Sequence, residues 1–115
     1  MILAVLDDLM FTSKIKTAAS QLGATVSFAR SKDAALAAMK ATPPSLVILD
    51  LNNARVDPLG LVAAMKANPA LAATPTVGFV SHVQTDLIDA ARAAGVGEVM
   101  ARSAFTQQLG EILQR

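Results

Sequence analysis

The chain has 115 residues, of which 53% are hydrophobic, and its ten basic and nine acidic residues give a net charge of +1. This length and hydrophobic content predict one globular domain over residues 1–115 rather than a disordered chain. The balanced charge and the four aromatic residues, all Phe, argue against binding to nucleic acid or to an anionic membrane, and the lack of cysteine favours a cytoplasmic location.

Short apolar runs alternate along the chain with longer stretches whose apolar residues recur at helical spacing. The runs predict five strands, Ile2 to Leu6, Thr25 to Phe28, Leu46 to Asp50, Thr76 to Val80 and Glu98 to Ala101. The longer stretches predict five helices: one ending at Gly23, one capped by Ser31 and reaching about Lys40, one from Leu59 to Lys66, one ending near Gly95, and one marked by Phe105, Leu109, Ile112 and Leu113. No apolar run approaches the roughly 20 residues that a membrane span needs.

Regular alternation of five strands with five helices predicts a doubly wound α/β sandwich of the flavodoxin-like type. Its parallel sheet would be flanked by helices on both faces, because parallel strands need helical crossovers. Such crossovers are right-handed, which leaves few possible topologies.

Carboxylates follow two of these strands. Asp7 and Asp8 come after the first strand, and Asp50 ends the third. If those strands are neighbours, the acids lie about 5 Å apart, and their mutual repulsion raises their pKa values. A divalent cation such as Mg²⁺ would relieve that repulsion. The alternative is that each Asp caps a turn or the following helix.

Four segments resemble the receiver domain of two-component response regulators, the chemotaxis-regulator type of fold. "LAVLDD" resembles the acid-pair strand of that family, and "LVILDLNNARVDPLGL" resembles its phosphoacceptor strand and the following loop. "NPALAATPTV" and "AARAAGVGEVMAR" resemble the entry to its fourth strand and its fourth helix with fifth strand. The resemblance covers essentially the whole chain and implies the strand order 2-1-3-4-5.

The resemblance also implies roles for the acids. Asp50 would accept a phosphoryl group as an acyl phosphate. Asp8 would bind Mg²⁺ directly, Asp7 would bind it mainly through water, and the main-chain carbonyl of Asn52 would complete the site. The metal would neutralise charge on the transferring group.

The signalling side departs from the family pattern. Val80 stands where the family has a Thr or Ser, and Ser81 can replace that hydroxyl only if a bulge or a strand end turns it towards the site. Arg102 replaces the family Lys, and Ser103 replaces the usual cis proline, so a cis bond there is not expected.

Two further family positions differ, and several residues have more ordinary interpretations. Val99 replaces the aromatic switch residue of strand five, and Ala54 replaces the loop proline.

His82, the single histidine, is predicted to be an exposed loop residue. Core packing is predicted for the methionines Met10, Met39, Met65 and Met100. A solvated face is predicted for the charges around helix two, Arg30, Lys32, Asp33 and Lys40.

These observations leave two main functional hypotheses. The first is a non-enzymatic receiver that binds Mg²⁺ and accepts a phosphoryl group at Asp50 from a histidine kinase or phosphotransfer protein, with an altered readout. The second is a pseudo-receiver that binds a partner or a second copy through helix four, strand five and helix five, without phosphorylation. A small-molecule enzyme is disfavoured because no glycine-rich loop follows strand one.

Overall fold

Five apolar segments form one parallel sheet in the computed structural model, which describes residues 1–81 and 84–115. The strands are β1 (Ile2–Val5), β2 (Val26–Ala29), β3 (Leu46–Asp50), β4 (Thr76–Val80) and β5 (Glu98–Ala101). Their order is β2-β1-β3-β4-β5, and every neighbouring pair is parallel, which confirms the predicted fold. The predicted bounds of β3, β4 and β5 are confirmed, whereas β1 ends one residue earlier and β2 lies one residue later than predicted.

Helices cover both faces of this sheet. Within the described residues they are α1 (Leu9–Leu22), α2 (Lys32–Ala41), α3 (Pro58–Ala67), α4 (Thr85–Ala94), α5 (Arg102–Gln107) and α6 (Leu109–Leu113), with a 3₁₀ turn at Ala54–Val56. The Ser31 hydroxyl caps α2 by accepting the Ala34 N–H at 3.1 Å. Gly23 and Gly95 end α1 and α4 in the left-handed conformation, which glycine adopts without steric cost.

The prediction of a single last helix was wrong. Gln108 (φ −98°, ψ 5°) leaves helical geometry and separates α5 from α6. Gly110 follows within the next turn, and glycine is a weak helix former. The buried residues of α6 pack in the same apolar layer as those of α1 and α5, namely Leu109, Ile112 and Leu113.

Two apolar layers form the core, one on each face of the sheet. One layer lies between the sheet and α2, α3 and α4, and the other lies between the sheet and α1, α5 and α6. The central strands β1, β3 and β4 are buried along their whole length, as expected when helices cover both faces. No helix among residues 1–81 and 84–115 has the length and apolar content to cross a membrane.

The methionines do not all lie in the core. Met39 and Met65 are buried and Met100 is partly buried, in line with the prediction. Met10 is 84% exposed, so the prediction was wrong for this residue. It precedes the buried Phe11 in α1, and successive residues of a helix point about 100° apart around its axis.

Candidate functional site

A pocket of about 550 Å³ opens at the carboxyl edge of the sheet, where β1 and β3 lie side by side. It brings together most of the predicted site residues: Asp7, Asp8, Asp50, Asn52, Ser81 and Arg102. Ala54 and Arg55 also line it. Clefts at this edge of a doubly wound sheet are the usual ligand sites of the architecture.

Asp50 is a buried carboxylate at the base of this pocket. It ends the central strand β3, pairs in register with Phe79 of β4, and is 8% exposed. Its Oδ1 accepts the Asn52 N–H at 3.2 Å. Burial raises the pKa of Asp50, the Asn52 hydrogen bond and the positive charge of Arg102 oppose that rise, and the negative charge of Asp8 adds to it.

Asp8 has two roles at once. Its Oδ1 accepts the Phe11 N–H at 3.0 Å and so caps the first turn of α1. Its Oδ2 lies 3.6 Å from Nη2 of Arg102. The helix-cap alternative therefore holds for Asp8, although the same carboxylate also lines the pocket.

Asp7 is held by two arginines. Its Oδ1 accepts a hydrogen bond from Nε of Arg30 at 2.7 Å, and its Oδ2 accepts one from Nη1 of Arg55 at 2.9 Å. These bonds, first to Arg30 and then to Arg55, lower the pKa of Asp7 against the opposing effect of burial. The expectation that crowded acids would raise the pKa of Asp7 was wrong, because two guanidinium groups neutralise this carboxylate.

Arg102 lies between the pocket and an aromatic cluster. Its guanidinium carbon is 4.3 Å from the ring centre of Phe11, a cation–π distance. Phe11 lies 5.0 Å from Phe79 and 5.8 Å from Phe105, and those two rings are 4.8 Å apart. The described residues contain no cis peptide bond, as predicted for the link that follows Arg102.

The β3–α3 and β4–α4 loops are joined by Asn52. Its Oδ1 accepts the Ser81 N–H at 2.5 Å, and its Nδ2 donates to Oε1 of Gln84 at 3.3 Å. Val80 is buried in the layer beneath α2, α3 and α4. Because β4 ends at Val80, the side chain of Ser81 does not have to follow the alternating directions of strand side chains. Ser81 lines the pocket. Its predicted role as a replacement hydroxyl stays a prediction.

The other predicted switch position lies away from the pocket. Val99 is half-buried in β5, pairs with Gly78, and packs against the layer beneath α2, α3 and α4. Ala54 begins the 3₁₀ turn that follows β3. His82 lies outside the described residues.

The metal-binding role predicted for Asp7, Asp8 and Asp50 stays a prediction, although all three line the pocket. In the part of the chain that the structure describes, no group of three or more His, Cys, Asp or Glu side chains is arranged to hold a metal ion. Both carboxylate oxygens of Asp7 are paired with arginines. Asp8, Asp50 and the Asn52 carbonyl remain as oxygen donors at the pocket, and Mg²⁺ often binds through one or two carboxylates plus waters. This donor set therefore fits a hydrated divalent cation.

Sequence reasoning missed Arg30 and Arg55 as site residues. Arg30 directly follows β2, which neighbours β1, and Arg55 is part of the turn after β3. Their sequence signal is a cation just after each of the two strands that neighbour β1. Arg30 was predicted only to be part of a solvated face, and no role was predicted for Arg55.

Comparison with solved structures places the whole chain among response regulators in fold. The phosphorylated cyanobacterial phytochrome response regulator RcpA is 26% identical, with a TM-score of 0.80 over 98% of this chain and 87% of that one. The receiver domain of NtrX from Brucella abortus is 26% identical, with a TM-score of 0.81 over 100% and 96% of the two chains. The Mn²⁺-bound form of response regulator Rcp1 shares the fold at 21% identity, with a TM-score of 0.82 over 96% and 89%. No protein-family model and no curated protein matches the sequence.

Proposed function

We propose that this chain, which has the fold of response-regulator receiver domains, transmits a signal in a two-component system by accepting a phosphoryl group at Asp50. The observation that carries the proposal is the position of Asp50, nearly buried at the end of the central strand and open to a pocket that also contains Asp8 and Arg102. Neighbours at 26% identity are receiver domains or response regulators, and one of them is phosphorylated in its structure.

The proposed reaction uses the ionised carboxylate of Asp50 as a nucleophile. An Asp50 oxygen bonds to the phosphorus of a phosphohistidine on a kinase or phosphotransfer protein. The P–N bond breaks, and the departing imidazole keeps the electron pair and takes up a proton. Arg102 donates hydrogen bonds to the phosphoryl oxygens, where negative charge is concentrated in the transition state. Arginine suits this task because its planar group matches phosphate geometry.

A divalent cation belongs to the proposal as a cofactor. Asp8, Asp50 and the Asn52 carbonyl would hold it at the pocket. When bound, it would supply charge neutralisation for the phosphoryl oxygens. The Mn²⁺-bound form of Rcp1 supports a divalent ion in this fold, and Mg²⁺ is the expected ion for oxygen donors of this kind.

The readout is expected to be weaker than in an ordinary receiver. Val80 is buried and has no hydroxyl to move towards a phosphoryl group, and Val99 is not aromatic. A ligand shifts a conformational equilibrium only by its difference in affinity for the two states. Ser81 is the hydroxyl residue nearest in sequence that lines the pocket, so any hydroxyl contact would fall to it.

Labelling with a small radioactive phosphodonor, acetyl phosphate, tests the assignment. Wild type and Asp57→Asn should be labelled in the presence of Mg²⁺, whereas Asp50→Asn should not. Asp57 is a matched control because it is another carboxylate in the segment after β3, where it caps α3. Label that persists in Asp50→Asn would contradict the site.

A second candidate function is a phosphorylation-independent interaction module that binds a partner, or a second copy of the chain, through α4, β5 and α5. The neutralisation of Asp7 by Arg30 and Arg55 favours it, because a saturated carboxylate is less available to a metal. Absence of label in wild type and every variant would favour this module. Partner binding or self-association would then be the same for wild type and Asp50→Asn.

A further inference from the structure

The contacts of Asp7 are those of a carboxylate that already has a cation bound. Its side chain is 7% exposed, and each of its two oxygens is occupied by a different arginine. The two arginines come from separate loops, Arg30 after β2 and Arg55 in the 3₁₀ turn after β3. We call Arg30 and Arg55 the arginine clamp.

The arginine clamp offsets the negative charge of the carboxylates in the pocket. Three carboxylates line the pocket, and Arg102 offsets part of their charge beside Asp8. The clamp supplies the remaining two positive charges, the same charge as one divalent cation. A metal ion and a guanidinium group that share one carboxylate repel each other, so the two sources of positive charge compete for the negative charge of Asp7.

We propose that the arginine clamp is an internal competitor of the divalent cation and sets how tightly this pocket binds it. The proposal rests on the proposed function and deepens it, since it concerns the regulation of the same site. A cation that draws on Asp7, directly or through water, has to displace Arg30 or Arg55 or bind against their positive charge. Binding of the cation and closure of the clamp are therefore coupled, and each weakens the other by the same factor.

Both side chains of the arginine clamp can leave Asp7 and enter solvent. Arg30 is 67% exposed and Arg55 is 82% exposed, so each has water around it when it leaves Asp7. An exposed ion pair contributes up to a factor of about five to an equilibrium. Removal of both pairs should therefore raise the affinity for a divalent cation about tenfold.

Isothermal calorimetry with Mn²⁺ and with Mg²⁺, at one fixed ionic strength, tests the proposal. The test variant is Arg30→Gln/Arg55→Gln, and the matched control is Lys40→Gln/Arg92→Gln. The control removes the same charge from exposed positions on α2 and α4. Thermal melts check that each variant is folded, and the two single variants serve if the double variant does not fold.

The proposal predicts about tenfold tighter metal binding for the clamp variant and less than twofold for the control. Addition of Asp7→Asn to the clamp variant should abolish the gain. Equal gains in the clamp and control variants would overturn the proposal, because long-range charge would then explain them. Unchanged affinity, or no metal binding by any variant, would also overturn it. Phosphoryl labelling of Asp50 is measured separately, so those results leave the proposed function to its own test.

Discussion

Asp50→Asn should make the protein more stable at neutral pH. The ionised Asp50 carboxylate is nearly buried and accepts one backbone hydrogen bond, from Asn52. An asparagine has the same shape, retains an oxygen that can accept that bond, and carries no charge to bury. The substitution therefore removes a cost of burial while it keeps the local contact.

The expected gain is about 1–2 kcal/mol. Burial of an ionised carboxylate costs several kcal/mol even after the surroundings relax. A hydrogen bond to a charged group returns about 1.5–3 kcal/mol, and water in the open pocket screens part of what is left. For a domain of this size, a gain of that order corresponds to a rise in Tm of roughly 4–8 °C.

The gain should also depend on pH in a defined direction. Burial raises the pKa of Asp50, so the folded state binds its proton more tightly than the unfolded state does. The cost of the carboxylate is absent below the unfolded pKa, near 3.9, and develops as the pH rises through the folded pKa. The difference in stability between variant and wild type should therefore disappear below about pH 4.

Urea denaturation of both proteins at a series of pH values measures this difference. Subtraction of the wild-type curve from the variant curve removes the contribution of acids that do not interact with Asp50. Equal or lower stability of Asp50→Asn at pH 7, or a gain that persists unchanged at low pH, would refute the reasoning.

Three more outcomes follow from the packing and the charges. Phe105→Ala should lower the free energy of unfolding, measured by urea denaturation, by about 3–5 kcal/mol because the ring is fully buried. Phe28 is partly exposed, so the free energy of unfolding of Phe28→Ala should fall by less than half as much in the same assay. Gly78→Ala places a Cβ 2.6 Å from Cδ1 of Leu51 and should cost about 1–3 kcal/mol, with a smaller loss in a Leu51→Ala background. The pKa of Asp7 is lower in the folded state than in the unfolded state, so its ion pairs stabilise the fold at neutral pH. This stabilisation is lost as the pH falls from the unfolded pKa, about 4, through the folded pKa. The Arg30→Gln/Arg55→Gln variant lacks it and should therefore lose less stability than wild type does below about pH 4.

The local elements could be predicted from the sequence because their signals are local. Apolar runs marked β3, β4 and β5 with the bounds that the structure has, and the Ser31 cap and the Gly23 stop of α1 also lay where predicted. Asp50 was predicted to end the third strand, and that end of β3 opens to the pocket, since strand ends in a parallel sheet share one edge. These features depend on neighbours a few positions apart in the chain.

Only the tertiary structure decided how the charges of the site pair. Asp7 is 23 residues from Arg30 and 48 residues from Arg55, and the strand order is what brings β2, β1 and β3 together at one edge. The orientations of Val80 and Ser81 likewise depend on the residue at which β4 ends. No local pattern encodes such contacts, because side chains far apart in sequence meet only after the sheet has formed.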